Sequence, residues 1–285
     1  MTGTAEFLAE LMRSTPFQPA TNVWRAVELD AVQRHGLPHG RGLDLGCGDG
    51  KLTGIVCRAL DPTGRQRQWV GVDIDPAETA QAETSSVYQR VHTASATSVP
   101  EPDGSFDFVF SNSVLEHLPQ IDEVLAEVAR LLRSGGRCVF TVPGPDFHAC
   151  LAGGMRRGVP QPRYLRDIDT RCAHLRYWTS ADWTERMHAA GLQLRVVKPY
   201  LSEHQTQRWE RLSAWSGGLA WRLFGQRARP IEIQRRLRMR SPGIGVFGPI
   251  AAALSPLLRA GVTLDADVAA TRYGCLLLDA SKAAT

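Results

Sequence analysis

Short apolar runs alternate with amphipathic stretches along the first part of the chain. The apolar segments at about 42–46, 69–74, 107–111 and 137–142 have the length and composition of buried β-strands. The stretches between them, such as 51–60, have the spacing of helices that bury one face. Strands and helices that alternate in this way favour an α/β fold built on a parallel sheet.

The first of these strands ends in a glycine-rich turn, in which Gly46, Gly48 and Gly50 occupy alternate positions. Glycine allows a sharp turn and lets a ligand approach the main chain, and the helix N-terminus that follows is a usual place for a nucleotide-type ligand. The dinucleotide fingerprint G-x-G-x-x-G is not met from Gly46, because Lys51 stands where its third glycine is required. The turn therefore predicts a ligand site but does not identify the ligand.

Three later elements make the pattern more specific. The second strand ends in Asp73, and a carboxylate at that place can accept hydrogen bonds from ribose hydroxyls. The stretch 102–112 indicates a turn and a strand that opens into a polar loop, and 131–143 indicates a helix end, a glycine pair and another strand. With the glycine turn, these elements resemble the class I S-adenosylmethionine-dependent methyltransferases over roughly residues 43–200.

The resemblance implies a Rossmann-like, doubly wound sheet of seven strands in which the last strand is antiparallel. The helical pattern at 177–190 and the alternating pattern at 192–198 would be the last helix and the sixth strand. The best candidate for the seventh strand is 273–279, far downstream. In this family an insertion such as the one at about 201–271 usually covers the substrate.

These elements divide the chain into four predicted parts. They are an N-terminal helical accessory segment (1–40), a core that binds S-adenosylmethionine (41–200), a helical lid or substrate insertion (201–271) and a final core strand with its tail (272–285). We expect the accessory helices to pack on the sheet. The alternative is a flap over the cofactor, with Arg25 near the carboxylate of the cofactor.

The resemblance also implies S-adenosylmethionine as the cofactor and indicates its contacts. Gly46, Cys47 and Gly48 would offer backbone groups to the methionine part, and Asp44 would support the turn or reach the amino group. Asp73 would hold the ribose hydroxyls. The remaining implied contacts are Ile74 against the adenine, Ser95 and the backbone of Ala96 near the adenine amine, and Ser111 and Asn112 after the fourth strand. Many relatives carry an acid where Ser95 stands here, so the backbone of Ala96 is expected to substitute for that side chain.

Three histidines are candidates for the general base that an alcohol acceptor requires, because the imidazole pKa lies near neutrality. His174 is the first choice, since in relatives a histidine-bearing segment ahead of the last helix approaches the active site, and His148, just after the fifth strand, is the second. His117 follows Glu116 in the loop after the fourth strand, and a capping or packing role is the favoured alternative for it. No cluster of acids indicates a metal, so we predict none.

The insertion has a pattern of its own. Aromatic and aliphatic residues recur at helical spacing over 207–224, an arginine cluster follows at 227–240, and 242–262 is strongly apolar but interrupted by glycines and prolines. A membrane span needs about 20 consecutive apolar residues. A hydrophobic lid is therefore favoured, and a surface element that presents arginines to anionic lipid headgroups is the alternative.

Composition adds an asymmetry of charge. Residues 1–150 carry 12 Lys and Arg against 19 Asp and Glu, a net of −7, and the rest of the chain carries 21 against 10, a net of +11. A basic second half favours an anionic partner, although a solvated surface rich in arginine produces the same pattern.

The cysteines and the first residues bear on the cellular location. The six cysteines show no C-x-x-C pair, so we predict reduced thiols. Glu6 and Glu10 interrupt any leader pattern, so we predict a cytoplasmic protein. Peripheral membrane association is a further option, and the oligomeric state stays open.

Several classes of function remain. We favour methyl transfer to the oxygen of a small or lipid-like molecule, because the loop at 111–118 lacks the Asn-Pro-Pro-Tyr tetrad of enzymes that methylate exocyclic or amide nitrogens. The alternative is a methyltransferase for nucleic acid or protein, but aromatic residues for base stacking are not interleaved with the arginines. A nicotinamide-dependent oxidoreductase is disfavoured by the glycine spacing and the expected antiparallel last strand. A non-catalytic partner that keeps the fold also remains open, because fold does not determine function.

Overall fold

The structure is a computed structural model that describes residues 3–15, 18–153, 161–215 and 270–283. Seven strands, eight α-helices and a one-turn 3-10 helix lie within these residues. In chain order they are α1 (Thr4–Ser14), α2 (Pro19–His35), β1 (Gly40–Leu45), α3 (Lys51–Leu60), β2 (Arg67–Asp73), α4 (Pro76–Glu83), β3 (Tyr88–Thr93), β4 (Phe106–Asn112), the one-turn helix (Leu115–His117), α5 (Ile121–Leu131), β5 (Leu132–Pro143), α6 (Gln161–Cys172), α7 (Ser180–Ala189), β6 (Leu192–Ser202), α8 (Glu203–Trp215) and β7 (Tyr273–Lys282).

The strands form one sheet in the order β3-β2-β1-β4-β5-β7-β6. β1 pairs in parallel with β2 on one side and with β4 on the other, and β7 pairs antiparallel with β5. The predicted Rossmann-like, doubly wound sheet of seven strands with an antiparallel last strand is therefore confirmed. The chain winds outward in both directions from β1 and β4, and ligands of such sheets bind beyond the carboxyl ends of the strands at this switch point.

At the centre of the sheet, phenylalanine rings of β4 pack directly against a glycine of β1. Phe108 and Phe110 on β4 are fully buried, and a Cβ at Gly42 on the neighbouring β1 would lie 2.2 Å from the ring of Phe108. A glycine is therefore required at that position, since a larger residue would displace a ring that is buried on all sides. This packing aligns β1 and β4, whose carboxyl ends bound the ligand crevice.

The chain divides into two compact units. The first comprises Met1–Asp30, Asp146–His174 and Tyr200–Gly274, and the second comprises Ala31–Pro145, Leu175–Pro199 and Cys275–Thr285. The core of the second unit is formed by apolar side chains of β1, β2, β4 and β5 together with α5 and α7. In the first unit the rings of Trp24, Phe147 and Trp209 pack within 5.7 Å of one another, measured between centroids.

The predicted insertion is described only at its beginning. α8 begins at Glu203, earlier than the helical pattern at 207–224 indicated, and the description ends at Trp215. The arginine cluster and the apolar run at 242–262 lie outside the described residues, so the four predicted domain boundaries stay a prediction. In the part of the chain that is described, no helix combines the length and hydropathy that a membrane crossing requires.

A buried acid on the last strand ties together three elements of the second unit. Asp279 on β7 is 2% exposed and accepts hydrogen bonds from the guanidinium of Arg137 on β5. The imidazole Nε2 of His35, at the end of α2, lies 3.0 Å from the same carboxylate. Burial lowers the pKa of His35, and Asp279 opposes this effect only in part. The neutral ring therefore donates through Nε2 to Asp279.

Asp279→Asn should lower the free energy of unfolding by about 2 kcal/mol, because it removes the charge of a buried carboxylate that Arg137 and His35 share. Asp103→Asn is the matched control, since Asp103 pairs with Arg130 at 2.5 Å but its side chain is 81% exposed. Exposed pairs contribute under about 1 kcal/mol. Urea unfolding measures both changes, and equal losses in the two variants would contradict the structural role of Asp279.

Candidate cofactor-binding site

The glycine turn after β1 is bonded along its length to the end of β2. The N–H groups of Gly46 and Cys47 both donate to the carbonyl oxygen of Val72, at 2.8 and 3.0 Å. The N–H of Gly48 donates to Oδ2 of Asp73 at 2.9 Å. These three amides therefore attach the turn to the end of β2.

The three glycines of the turn serve different purposes. A Cβ on Gly46 would lie 2.5 Å from the side chain of Val114, and a Cβ on Gly50 would lie 2.7 Å from the ring of Tyr88. Among the described residues, a Cβ on Gly48 would have only Oε2 of Glu78 within 4 Å, at 3.8 Å. Gly46 and Gly50 thus admit protein side chains, whereas Gly48 keeps a space open for a ligand.

Asp73 stands at the carboxyl end of β2 with capacity left for a ligand. Its Oδ2 accepts from Gly48 and its Oδ1 accepts from the N–H of Asp75 at 2.9 Å. A carboxylate can accept roughly four hydrogen bonds, so the side chain retains acceptor sites for the ribose hydroxyls that the sequence predicted. The next residue, Ile74, is 75% exposed, an unusual position for a large aliphatic side chain. The space at Gly48, the half-buried acid and the exposed Ile74 fit the implied S-adenosylmethionine.

Asp44 lies beneath the turn and is almost fully buried. Its Oδ2 accepts from the hydroxyls of Thr53 and Tyr88, both at 2.6 Å. The pKa of Asp44 is raised to about 6, chiefly by burial and in smaller part by the neighbouring charge of Asp73, although the hydrogen bonds from the two hydroxyls oppose the shift. Of the two roles predicted for Asp44, support of the turn is the one that these contacts favour.

Tyr88 and Thr53 are functional candidates that the sequence reasoning missed. Thr53 is nine residues from Asp44 and Tyr88 is 44 residues from it. Tyr88 begins β3 and its ring occupies the space that Gly50 and Gly71 leave free. The repeated glycines were a signal that something packs closely on the turn, but only the structure identifies that group as a tyrosine.

The loop after β3 is organised by Ser95. Its hydroxyl lies 2.8 Å from the hydroxyl of Thr97 and accepts from the backbone N–H of Thr97 at 3.2 Å. Ala96, between them, is half-buried and packs against the core of the second unit. Ser95 therefore shapes the turn that presents the backbone of Ala96, and adenine contact by either residue stays a prediction.

Ser111 and Asn112 are placed inside the end of β4 and are buried. The hydroxyl of Ser111 donates to the carbonyl of Leu45 at 2.9 Å, which joins β4 to the start of the glycine turn. Oδ1 of Asn112 accepts from the hydroxyl of Thr141 on β5 at 3.3 Å. Both side chains brace the strand ends, and their predicted contact with the cofactor stays a prediction.

Cys47 contributes backbone and not thiol chemistry to the turn. Its side chain is buried, and burial raises the pKa of the thiol far above its usual range, an effect to which Asp44 and Asp73 add. A thiol in this state supplies almost no thiolate, which is the nucleophilic form. This property is consistent with the backbone role that the sequence implied.

The structure brings two of the three predicted histidines together in the first unit. Nε2 of His148 lies 2.7 Å from Oδ1 of Asp169 on α6, and the N–H of His174 donates to the backbone carbonyl of the same Asp169 at 3.1 Å. The ring of Phe147 contacts both histidines, at 6.2 and 5.5 Å between centroids. Asp169 was not predicted, because nothing in the spacing of His148 and α6 marks it.

His117 belongs to the second unit and closes the one-turn helix after β4. Its Nε2 lies 3.8 Å from Oε1 of Glu116, and its side chain is 37% exposed, whereas that of Glu116 is 1% exposed. Glu116 therefore faces the protein interior, whereas His117 is partly exposed to solvent. Among the described residues no group of three His, Cys, Asp or Glu side chains could hold a metal ion.

Gly48→Ala should lower the affinity for S-adenosylhomocysteine about tenfold or more, because the added methyl group enters the open space. The φ angle of +52° adds a stability cost of about 1 kcal/mol. Gly50→Ala should instead affect stability more than affinity, since its methyl group collides with Tyr88. Calorimetric titration and urea unfolding of both variants separate the two effects, and wild-type affinity in Gly48→Ala would contradict this assignment.

The affinity for S-adenosylmethionine should rise with pH around pH 6, because ionised Asp44 attracts a ligand that carries a sulfonium and an ammonium group. Thr53→Val removes a hydrogen bond that favours the ionised carboxylate, so the midpoint of the affinity change should move to higher pH. Asp44→Asn should abolish the pH dependence of the affinity. Titrations between pH 5 and 8 measure these shifts, and an unchanged profile in Asp44→Asn would contradict the role.

The raised pKa of Asp44 should also make the free energy of unfolding depend on pH. Its folded pKa, about 6, lies above the unfolded value of 3.8, so the native state holds a proton that the unfolded chain releases between these pH values. The contribution of this group to stability is therefore greatest below pH 4 and falls as the pH rises through 6. Asp44→Asn should flatten that part of the curve of unfolding free energy against pH, and an identical slope in both proteins would contradict the assignment.

Known proteins resemble the chain over this region. A sequence profile of the methyltransferase domain matches residues 10–197. Malonyl-[acyl-carrier protein] O-methyltransferase 1 of Coxiella burnetii is 27% identical over 182 residues, which cover 61% of each chain. A probable S-adenosylmethionine-dependent methyltransferase of Mycolicibacterium smegmatis is 27% identical over 53% of this chain and 51% of its own. The chain thus spans less than two thirds of the length of these curated relatives.

Solved structures share the fold. A putative sarcosine dimethylglycine methyltransferase from Galdieria sulphuraria superposes with a TM-score of 0.54 at 17% identity, over 93% of this chain and 85% of its own. The [4+2]-cyclase SpnF superposes with a TM-score of 0.52 at 22% identity, over 90% and 81%. At these identities the similarity shows the fold alone. The family match over residues 10–197, the strand order and the glycine turn together show that the chain belongs to the class I S-adenosylmethionine-dependent methyltransferases.

Proposed function

We propose that the protein transfers the methyl group of S-adenosylmethionine to an oxygen atom of a small or lipid-like acceptor. The observation that carries the proposal is the pairing of an open space at Gly48 with the Asp73 carboxylate, on a chain that belongs to this family. When bound, S-adenosylmethionine supplies a methyl group activated by a sulfonium sulfur. Asp73 would accept the ribose hydroxyls, and the exposed Ile74 would cover one face of the adenine.

The acceptor atom is inferred from the loop after β4. The sequence Ser-Asn-Ser-Val at 111–114 replaces the tetrad typical of enzymes that methylate exocyclic or amide nitrogens. The name of the Coxiella burnetii relative states O-methylation of a malonyl group on an acyl carrier protein. Both observations support oxygen as the acceptor atom, and the second extends the class of acceptors to acyl groups.

Proton removal depends on which oxygen is methylated. A hydroxyl acceptor must lose its proton during transfer, whereas a carboxylate has none to lose. Among the three predicted histidines, His148 has a carboxylate beside its ring, because its Nε2 lies 2.7 Å from Oδ1 of Asp169, and a base that a third group orients is typical of catalytic histidines. We therefore infer that His148 serves hydroxyl acceptors, and His174 and His117 remain the competing assignments.

A lipid-like acceptor or an anionic membrane surface is supported by the sequence of the insertion. The arginine cluster at 227–240 and the apolar run at 242–262 place positive charge next to apolar residues in the sequence, a combination typical of segments that bind anionic lipid surfaces. The net charge of +11 on residues 151–285 also favours a second candidate function, methylation of a nucleic acid or an acidic protein. The lack of stacking aromatics among the arginines makes nucleic acid the weaker of these acceptors.

Incubation with methyl-labelled S-adenosylmethionine and an extract of the source cells tests the proposal. We expect label in the fraction that organic solvent extracts, as a methyl ether or an alkali-labile methyl ester. Label in precipitated nucleic acid or protein would overturn the acceptor class, and the absence of label in every fraction would overturn methyl transfer.

The matched controls are Asp73→Asn and Asp75→Asn. Asp73→Asn removes the charge from the ribose site and should abolish labelling together with affinity for S-adenosylhomocysteine. Asp75 caps α4 by accepting from the N–H of Ala77 at 2.9 Å, and asparagine caps a helix about as well. Asp75→Asn should therefore retain both properties, and a loss as large as that of Asp73→Asn would remove the assignment of Asp73.

A further inference from the structure

The carbonyl groups of the one-turn helix after β4 accept hydrogen bonds from outside the helix. Its own closing bond is long, since the N–H of Leu118 donates to the carbonyl of Leu115 at 3.4 Å. Further donors come from a segment about sixty residues further along the chain. The N–H of Leu175 donates to the carbonyl of Glu116 at 3.0 Å. The guanidinium of Arg176 donates through Nη1 to the carbonyl of Leu115 at 2.5 Å and through Nη2 to that of Leu118 at 2.6 Å.

Arg176 is itself held in a fixed position. Its guanidinium carbon lies 4.9 Å from the centre of the Trp178 ring, a cation–π distance. Trp178 packs edge-on against Trp183 at 4.9 Å, and Trp183, which is 1% exposed, packs at 5.1 Å against Phe140 of β5. A continuous series of rings therefore connects the guanidinium to the central sheet.

The segment that Arg176 holds reaches the glycine turn. We call residues 113–118 the β4 loop. Val114 in this loop occupies the space that Gly46 leaves free, where a Cβ would approach within 2.5 Å. The backbone N–H of Ser113 donates to the carbonyl of Thr141 on β5 at 3.1 Å, which fixes the other end of the loop. The loop is thus attached at its start to the sheet and at its end to Arg176.

We propose that Arg176 is a positioning residue for methyl transfer, and that it holds the β4 loop, with Glu116 and His117, in the conformation that receives the acceptor. The assignment rests on the proposed function. The guanidinium of Arg176 contacts the carbonyls of the β4 loop and the ring of Trp178, and within the described residues no hydrogen bond joins it to Gly48 or Asp73. Loss of Arg176 should therefore lower turnover and leave cofactor affinity unchanged.

The bidentate geometry predicts that lysine cannot replace Arg176. A guanidinium bridges two carbonyls with donors on separate nitrogens, whereas an ammonium group is a single point of donation. Arg186 provides the matched control, because its guanidinium lies 4.4 Å from the same Trp178 ring and pairs with Asp122 at 2.8 Å. No hydrogen bond from Arg186 to the β4 loop is present in the described part of the chain.

Hydrogen exchange and calorimetry test the role without any acceptor. In Arg176→Lys the amides of His117 and Leu118 should exchange at least about tenfold faster, while the dissociation constant for S-adenosylhomocysteine stays within about twofold of wild type. Arg186→Lys should change neither quantity. Unchanged exchange in Arg176→Lys, or a loss of cofactor affinity that parallels the change in exchange, would overturn the proposal.

Kinetics with the acceptor identified by labelling complete the test. Arg176→Lys should lower kcat about tenfold or more, since small misplacements at a reaction centre reduce rates steeply, and the KM for S-adenosylmethionine should not change. In Arg176→Ala, added guanidinium ion should restore part of the rate, and in Arg186→Ala it should not.

Wild-type kcat in Arg176→Lys would overturn the positioning role. A wild-type enzyme that labels nothing would overturn the proposed function, and the exchange data would still decide whether Arg176 holds the loop.

Discussion

The hydrogen bond from the N–H of Gly48 to the carboxylate of Asp73 is the contact on which the rest of the site depends. It joins the turn after β1 to the end of β2, and the carbonyl of Val72 reinforces it by accepting from Gly46 and Cys47. The turn and the acid therefore hold one another in place before any ligand arrives. Such preorganisation reduces the conformational cost of binding, because the groups that a ligand meets are already ordered.

A second layer of contacts beneath the turn supports this arrangement at a cost in stability. Burial of Asp44 disfavours its charged form, and the hydroxyls of Thr53 and Tyr88 recover part of that cost. The ring of Tyr88 fits only because Gly50 and Gly71 lack side chains. Within the turn, Gly48 thus leaves room for the ligand, Gly50 leaves room for the tyrosine that bonds to the buried acid, and Gly46 leaves room for Val114. Strained and unfavourably buried groups of this kind are common where a binding site has to be rigid.

The sequence was sufficient for the fold and for the place of the glycine turn and of Asp73 in it, whereas their contacts with the cofactor stay a prediction. Strand patterns at 42–46 and 69–74 and the helix at 51–60 were confirmed within a few residues, because buried parallel strands are uniformly apolar. The acid at Asp73 was found because its position at a strand end is set by topology.

Contacts between residues far apart in the chain could not be predicted in the same way. The bond from Tyr88 to Asp44 spans 44 residues, the pair of His148 and Asp169 spans 21, and the bonds of Arg176 to the β4 loop span about sixty. Each depends on side-chain packing that leaves no periodic signal in a single sequence. The same limit applies to the glycines, whose spacing indicated close approach but not which neighbour approaches.

The most direct measurement is a crystal structure of the protein with S-adenosylhomocysteine. The account predicts ribose hydroxyls within hydrogen-bonding distance of the Asp73 carboxylate, the ligand against the open side of Gly48, and the adenine against Ile74. A ligand bound elsewhere, or a carboxylate of Asp73 that keeps only its bonds to Gly48 and Asp75 while the ribose lies out of reach, would contradict it.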